Sequence, residues 1–113
     1  MTLSAPSLGV TDLTVSDLTE VFAAASDPTR VEMLRLLATS EEVACTTFEH
    51  IFPISKSTIS YHIKVLRHAG LIQVRKDGTF YYYTLRRAVI ERHLPGFLEL
   101  VMSTVPRGHE GPR

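Results

Sequence analysis

The chain has one cysteine and no tryptophan. A single thiol, Cys45, excludes an internal disulfide framework. No apolar run approaches the roughly 18–20 residues that a membrane span needs. The opening stretch MTLSAPSLGVTDLTVSDLTE has no basic start and no continuous apolar segment, so no secretion signal is read there. A cytoplasmic protein without a membrane partner is the expectation. Catalytic signatures are missing too: there is no Gly-rich phosphate loop, no H-E-x-x-H and no G-x-S-x-G. An enzyme is not expected. Net charge is zero, so no overall cationic field draws the chain to nucleic acid.

What is present is enough for one domain with one core: 113 residues, 44% hydrophobic and 21% charged. The charge is segregated along the chain. Residues 1–54 carry two basic residues, Arg30 and Arg35, and eight acidic ones. Residues 55–87 carry seven basic residues against Asp77 alone. Such segregation either marks a cationic docking face or is ordinary solvated surface.

Residues 1–12, rich in Ser, Thr, Pro and Gly, read as a flexible tail. The folded domain is expected over 13–103, and a second flexible tail over 104–113. A first helix is predicted over about 15–25. In SDPTR, Asp27 suits an N-cap and Pro28 the first helical position, opening a second helix that runs to about residue 38. Thr46 stands three residues before Glu49, a capping-box spacing, at the head of a short third helix over about 47–52. Pro53 ends that helix, Ser55 caps a fourth, and Gly70 stops it near residue 69. The third and fourth helices, so close together, make a helix-turn-helix.

After Gly70 the period changes. LIQVR and TFYYYTL flank KDG, and Asp77-Gly78 predicts a tight hairpin turn. A last helix is predicted over about 88–103, with Pro95-Gly96 kinking or breaking it. The expected class is therefore mainly α with a small β-hairpin, in the order of four helices, two strands and a fifth helix. The last helix carries Leu94, Phe97, Leu98 and Val101, too apolar for a lone exposed surface. They are the expected homodimer contact.

The fourth helix carries the chemistry. Each residue turns a helix by about 100°. Ile59, Ile63 and Leu66 therefore share a core face. Ser57, Ser60, Tyr61 and Lys64 share the opposite one. A helix that presents hydroxyls, a phenol and an ammonium fits the major groove of DNA, where such groups reach base edges and phosphates. Lys56, Ser57 and Thr58 sit in the first turn, where unpaired N–H groups favour a phosphate. Arg67 follows on the same helix, and the hairpin brings Arg75 and Lys76 alongside as a wing.

SDPTRVEMLRLLA, ISKSTISYHIKVLRHAGLI and VRKDGTFYYYTL, in that order, resemble the ArsR/SmtB family of winged-helix repressors. The resemblance implies a homodimer built mainly by the first and last helices, which adds Phe22 of the first helix to the dimer contact, a palindromic double-stranded operator, and an inducer that is most often a metal ion. It places the recognition segment on Lys56, Ser57, Thr58, Ser60, Tyr61 and His62, and the wing on Arg75, Lys76 and Gly78. Tyr61 stands where many members carry His. His62 lies at the edge of the buried face, where a structural hydrogen bond is expected rather than a base contact.

The resemblance also says where metal ligands would be. The family's Cys-x-Cys positions fall on Ala44 and Thr46, so the thiolate site is absent; Cys45 between them is expected to be a small, partly buried residue. The ligand positions of the last helix fall on Arg87, Val89, Leu100 and Ser103, none of them suitable. Glu91 and His93, with His109 in the tail, are the remaining metal candidates. Such a donor set favours Ni2+ or Zn2+ over thiophilic metals. The alternative is a winged-helix interaction module or partner-dependent regulator, which does not sense metal itself but works through an accessory effector protein.

Overall fold

The computed structural model describes residues 12–107. Helix α1 spans Val15–Ala24 and α2 spans Pro28–Ala38. A two-residue strand, β1 (Val43–Ala44), leads directly into α3 (Cys45–Ile51). Helix α4 (Lys56–His68) is followed by β2 (Ile72–Asp77) and β3 (Phe80–Leu85). Two short helices close the described chain, α5 (Arg87–His93) and α6 (Phe97–Met102). The three strands form one antiparallel sheet in the order β1-β3-β2.

Local chemistry explains most of these boundaries. Asp27 caps α2 by accepting from the Arg30 N–H at 3.1 Å, with Pro28 at the first helical position. Ser55 caps α4 by accepting from the Thr58 N–H at 3.2 Å. The α4 C-terminus is a Schellman motif: Leu71 N–H donates to Leu66 O and Gly70 N–H to Arg67 O, with Gly70 at φ 82°. Gly96, at φ 88°, separates α5 from α6, the break expected at Pro95-Gly96.

Three local expectations are corrected. The capping box is at Thr14 and Asp17, not at Thr46 and Glu49. Helix α3 starts earlier, at Cys45, because Ala44 is still paired to Tyr82 in the sheet, and its N-cap has no side-chain bond. The hairpin turn lies one residue later than expected. Asp77 pairs with Phe80, leaving Gly78-Thr79 as the two-residue loop, with positive φ on Gly78 alone.

The core gathers Val21 and Ala24 of α1, Met33, Leu34 and Leu37 of α2, Phe48 of α3, and Ile59, Ile63 and Leu66 of α4. Ile72, Tyr83 and Leu85 close it from the sheet, and Ile90, Leu98 and Val101 from the last helices. Burying this apolar face is what holds a helix as short as α4, because a helix of this length is marginal alone in water. Residues 104–107, expected to begin a flexible tail, lie against α2. Arg35 Nε donates to Thr104 O at 3.0 Å, and Arg107 grips Glu32 through Nε at 3.0 Å and Nη2 at 2.9 Å. Among the described residues, no helix is long and apolar enough to cross a membrane.

Candidate nucleic-acid interface

Helix α4 separates its two faces as its spacing predicts. Ile59 and Leu66 are fully buried, whereas Lys56, Ser57, Ser60, Tyr61, Lys64 and Arg67 are exposed. Tyr61 leaves 59% of its surface in solvent, a large aromatic area for a side chain with no core to fill. Thr58 is half-buried, and its hydroxyl lies 2.9 Å from the Ser55 hydroxyl. Ser57 Oγ is 3.1 Å from the same atom. The first-turn hydroxyls thus form one small cluster around the cap.

Lys56, Lys64 and Arg67 take part in no salt bridge among the described residues. All three line one cleft between α4 and the wing, together with Ser60, Phe80 and Tyr81. Unmatched cations beside exposed hydroxyls and aromatics suit a polyanion that also presents flat, hydrogen-bonding edges.

The wing differs from the expectation at Arg75. That guanidinium forms a two-pronged salt bridge with Glu42, at 3.0 and 2.8 Å, and stands 4.4 Å over the ring of Tyr82, its cross-strand partner. The carboxylate of Glu42 is held below its usual pKa by this contact, and Arg75 is held above its own. Arg75 therefore has its charge already matched within the protomer. Lys76 lies in no salt bridge among the described residues, and its Nζ sits 5.7 Å from the Tyr81 ring centroid. Phe80 and Tyr81 are exposed at the hairpin end, aromatics that strand propensity alone had accounted for.

His62 is buried, with Nδ1 3.0 Å from Arg30 Nη1, which is the structural role expected of it. Arg30 itself was missed. Its position in SDPTR signalled only the first turn of a helix; its partner is 32 positions away.

The apolar residues expected at a dimer contact divide in two. Phe22 is 62% exposed and is joined by residues not expected there, Val15 and Leu100, the latter 67% exposed. Leu94 and Phe97 are half-buried against the core. Leu98 and Val101 are both buried within the protomer and have little surface left for a second one. Splitting the last helix at Gly96 turns these two inward and Leu100 outward.

Among the described residues, no three His, Cys, Asp or Glu side chains gather into a ligand set. Glu91 and His93 sit on α5, exposed and half-buried respectively. Among the described residues, buried His93 Nε2 has no hydrogen-bond partner. His109 lies outside the described residues. Cys45 is half-buried and lies 3.6 Å from Glu49 Oε2. Burial pushes its thiol pKa up, and the Glu49 carboxylate adds to that shift. A protonated thiol is a poor nucleophile and a poor ligand. Tyr83 beside it is pushed up to about 12, chiefly by burial.

Comparison with known proteins agrees with this geometry. A helix-turn-helix domain family matches residues 25–75. The HTH-type transcriptional regulator YceK of Bacillus subtilis is 42% identical over 71% of this chain and 81% of its own. The arsenical resistance operon repressor of Staphylococcus aureus is 35% identical over 70% of this chain and 75% of its own. Among solved structures, the homodimeric winged helix-turn-helix DNA-binding domain Mb0332 of Mycobacterium bovis superposes with a TM-score of 0.66. That match covers 93% of this chain and 98% of the other at 23% identity, a likeness of fold. With the fold, the exposed stripe of α4 and these relatives together, the chain belongs to the ArsR/SmtB family of winged-helix, DNA-binding transcriptional regulators.

Proposed function

We propose that the protein is a homodimeric repressor that reads a palindromic operator with α4. The observation that carries this is the exposed stripe of Ser57, Ser60, Tyr61 and Lys64, flanked by Lys56 and Arg67, the three cations having no salt-bridge partner among the described residues. Ser57, Ser60 and Tyr61 face base edges, with Thr58 completing the cap cluster against a phosphate. Lys56, Lys64, Arg67 and Lys76 contact phosphates, and Arg75 joins them after exchanging Glu42 for DNA. Phe22 and Val15 of α1 and Leu100 of α6, each an exposed apolar side chain, support the dimer, and the half-buried Leu94 and Phe97 are assigned to it as well. Two-fold symmetry then places half-sites about 10 bp apart. The domain assigned to this work is 13–103, with residues 104–107 packed on α2.

The inducer is the finer question. The cadmium and arsenical repressors among the relatives support a metal response. His93 Nε2, buried with no hydrogen-bond partner among the described residues, supports an imidazole ligand, and Glu91, His93 and His109 together would prefer Ni2+ or Zn2+. The lack of a three-residue ligand set among the described residues supports the second reading, a regulator whose effector is not a metal or is held by an accessory protein. Gel shift on the protein's own promoter region, with and without nickel and zinc, tests both. Binding that a metal reverses, and that His93→Ala makes insensitive, supports the metal response. Binding indifferent to metal supports the second reading. No binding overturns the repressor.

A further inference from the structure

Among the described residues, Arg30 is the one lysine or arginine that the fold buries, at 9% exposure. Its donors reach two other helices. Nε donates to Ala24 O at 2.7 Å and Nη2 to Ala23 O at 3.3 Å, at the end of α1. Nη1 lies 3.0 Å from His62 Nδ1 on α4. Asp27 accepts from the Arg30 backbone N–H at 3.1 Å and lies 4.0 Å from the same imidazole nitrogen. A guanidinium has donors only, so Nδ1 must accept and the ring proton belongs on Nε2. The His62 ring stands 5.8 Å from that of Tyr61, centroid to centroid.

The apolar face of α4 does not by itself fix the roll of the helix. Ile59, Ile63 and Leu66 are held by contacts that have little directional preference. A charge-assisted hydrogen bond has one. A roll of about 10° moves a side-chain tip about 6 Å from the helix axis by about 1 Å. That is enough to take a hydroxyl out of hydrogen-bond range of a base edge.

We propose that Arg30 is a positioning residue for sequence reading: through His62 it sets the roll of α4, and so the aim of Tyr61 and Ser60 into the major groove. The proposal rests on the reading of α4 as the DNA-facing helix. It adds that base discrimination depends on a residue of α2 that faces away from DNA. The same guanidinium ties down the end of α1, the helix that bears exposed Phe22, so the dimer-side helix and the reading helix share one hydrogen-bonded joint.

The test uses a duplex selected by the wild-type protein from a random pool, and a scrambled duplex of the same composition. Affinity for each is measured with wild type, Arg30→Lys, Arg30→Met, His62→Leu and His62→Gln, under conditions where circular dichroism shows each variant folded. Arg30→Met and His62→Leu should lose roughly tenfold in the selected-to-scrambled ratio, the size of one lost base contact, with affinity for the scrambled duplex unchanged. His62→Gln supplies an amide oxygen that accepts from Arg30, and should restore most of the ratio. Arg30→Lys keeps the charge without the planar fork and guards against a misfolded Arg30→Met; its ratio should also fall. An unchanged ratio in the folded variants, or equal losses on both duplexes, would make Arg30 a brace and overturn the inference while leaving α4 as the reader. A wild-type protein that selects no sequence would overturn both.

Discussion

Arg30 Nη1 lies 3.0 Å from His62 Nδ1, so the imidazole must stay neutral to accept the bond. Burial pushes the His62 pKa below its ordinary value of 6.5; Asp27 opposes that shift and Arg30 adds to it. The sign follows. Between the folded pKa and 6.5 the unfolded chain binds more protons than the folded one. The contribution is therefore complete above pH 6.5 and is lost as pH falls through the folded value. Thermal unfolding followed from pH 7.5 down to about 5.5 should show the midpoint falling more steeply in wild type than in His62→Gln. Parallel curves would remove His62 from the account.

The two kinds of side chain on α4 should separate in binding experiments. Lys64→Ala should weaken binding to all DNA sequences and lower the slope of log affinity against log salt by about one. Ser57→Ala and Tyr61→Ala should leave that slope alone and change discrimination by about 1–3 kcal/mol at the bases they face. Equal losses on selected and random duplexes for all three would refute this division.

Glu42 predicts a gain. Its carboxylate neutralises Arg75 in the free protein. Glu42→Gln should release that cation to DNA, tighten binding to random duplexes and steepen the salt slope by about one. Stability should hardly move, because an exposed ion pair contributes little. Weaker binding by Glu42→Gln would instead mean that Glu42 orients Arg75 for the contact.

Apolar residues at the C-terminal end should sort by where they point. Leu100→Glu, on the exposed side of α6, should leave the fold intact and shift sedimentation toward monomer. Leu98→Ala should leave the assembly alone and cost about 2–3 kcal/mol of stability, the lower range for a buried leucine. A Leu100→Glu protein that remains dimeric would place the interface elsewhere.

Much of this was legible residue by residue. The caps at Asp27 and Ser55, the stop at Gly70, the break at Pro95-Gly96 and the two faces of α4 depend on neighbours within a few positions. The two-residue β1 was not legible, because nothing in Val43–Ala44 shows strand periodicity; it exists because β3 offers it an edge. Leu98 and Leu100 were equally apolar on paper. The turn at Gly96 decided which faced inward.

The sequence by itself determined the succession of elements and the polarity of the reading helix, since helical period, capping and turn chemistry act over short stretches of chain. Tertiary structure alone decided the pairings. Arg30 meets His62 across 32 positions, Arg75 meets Glu42 across 33, and Arg107 meets Glu32 across 75. Each is a charged side chain with several partners in reach on paper. Which one it takes is set by where packing of the apolar faces leaves the helices, and no local pattern of residues carries that information.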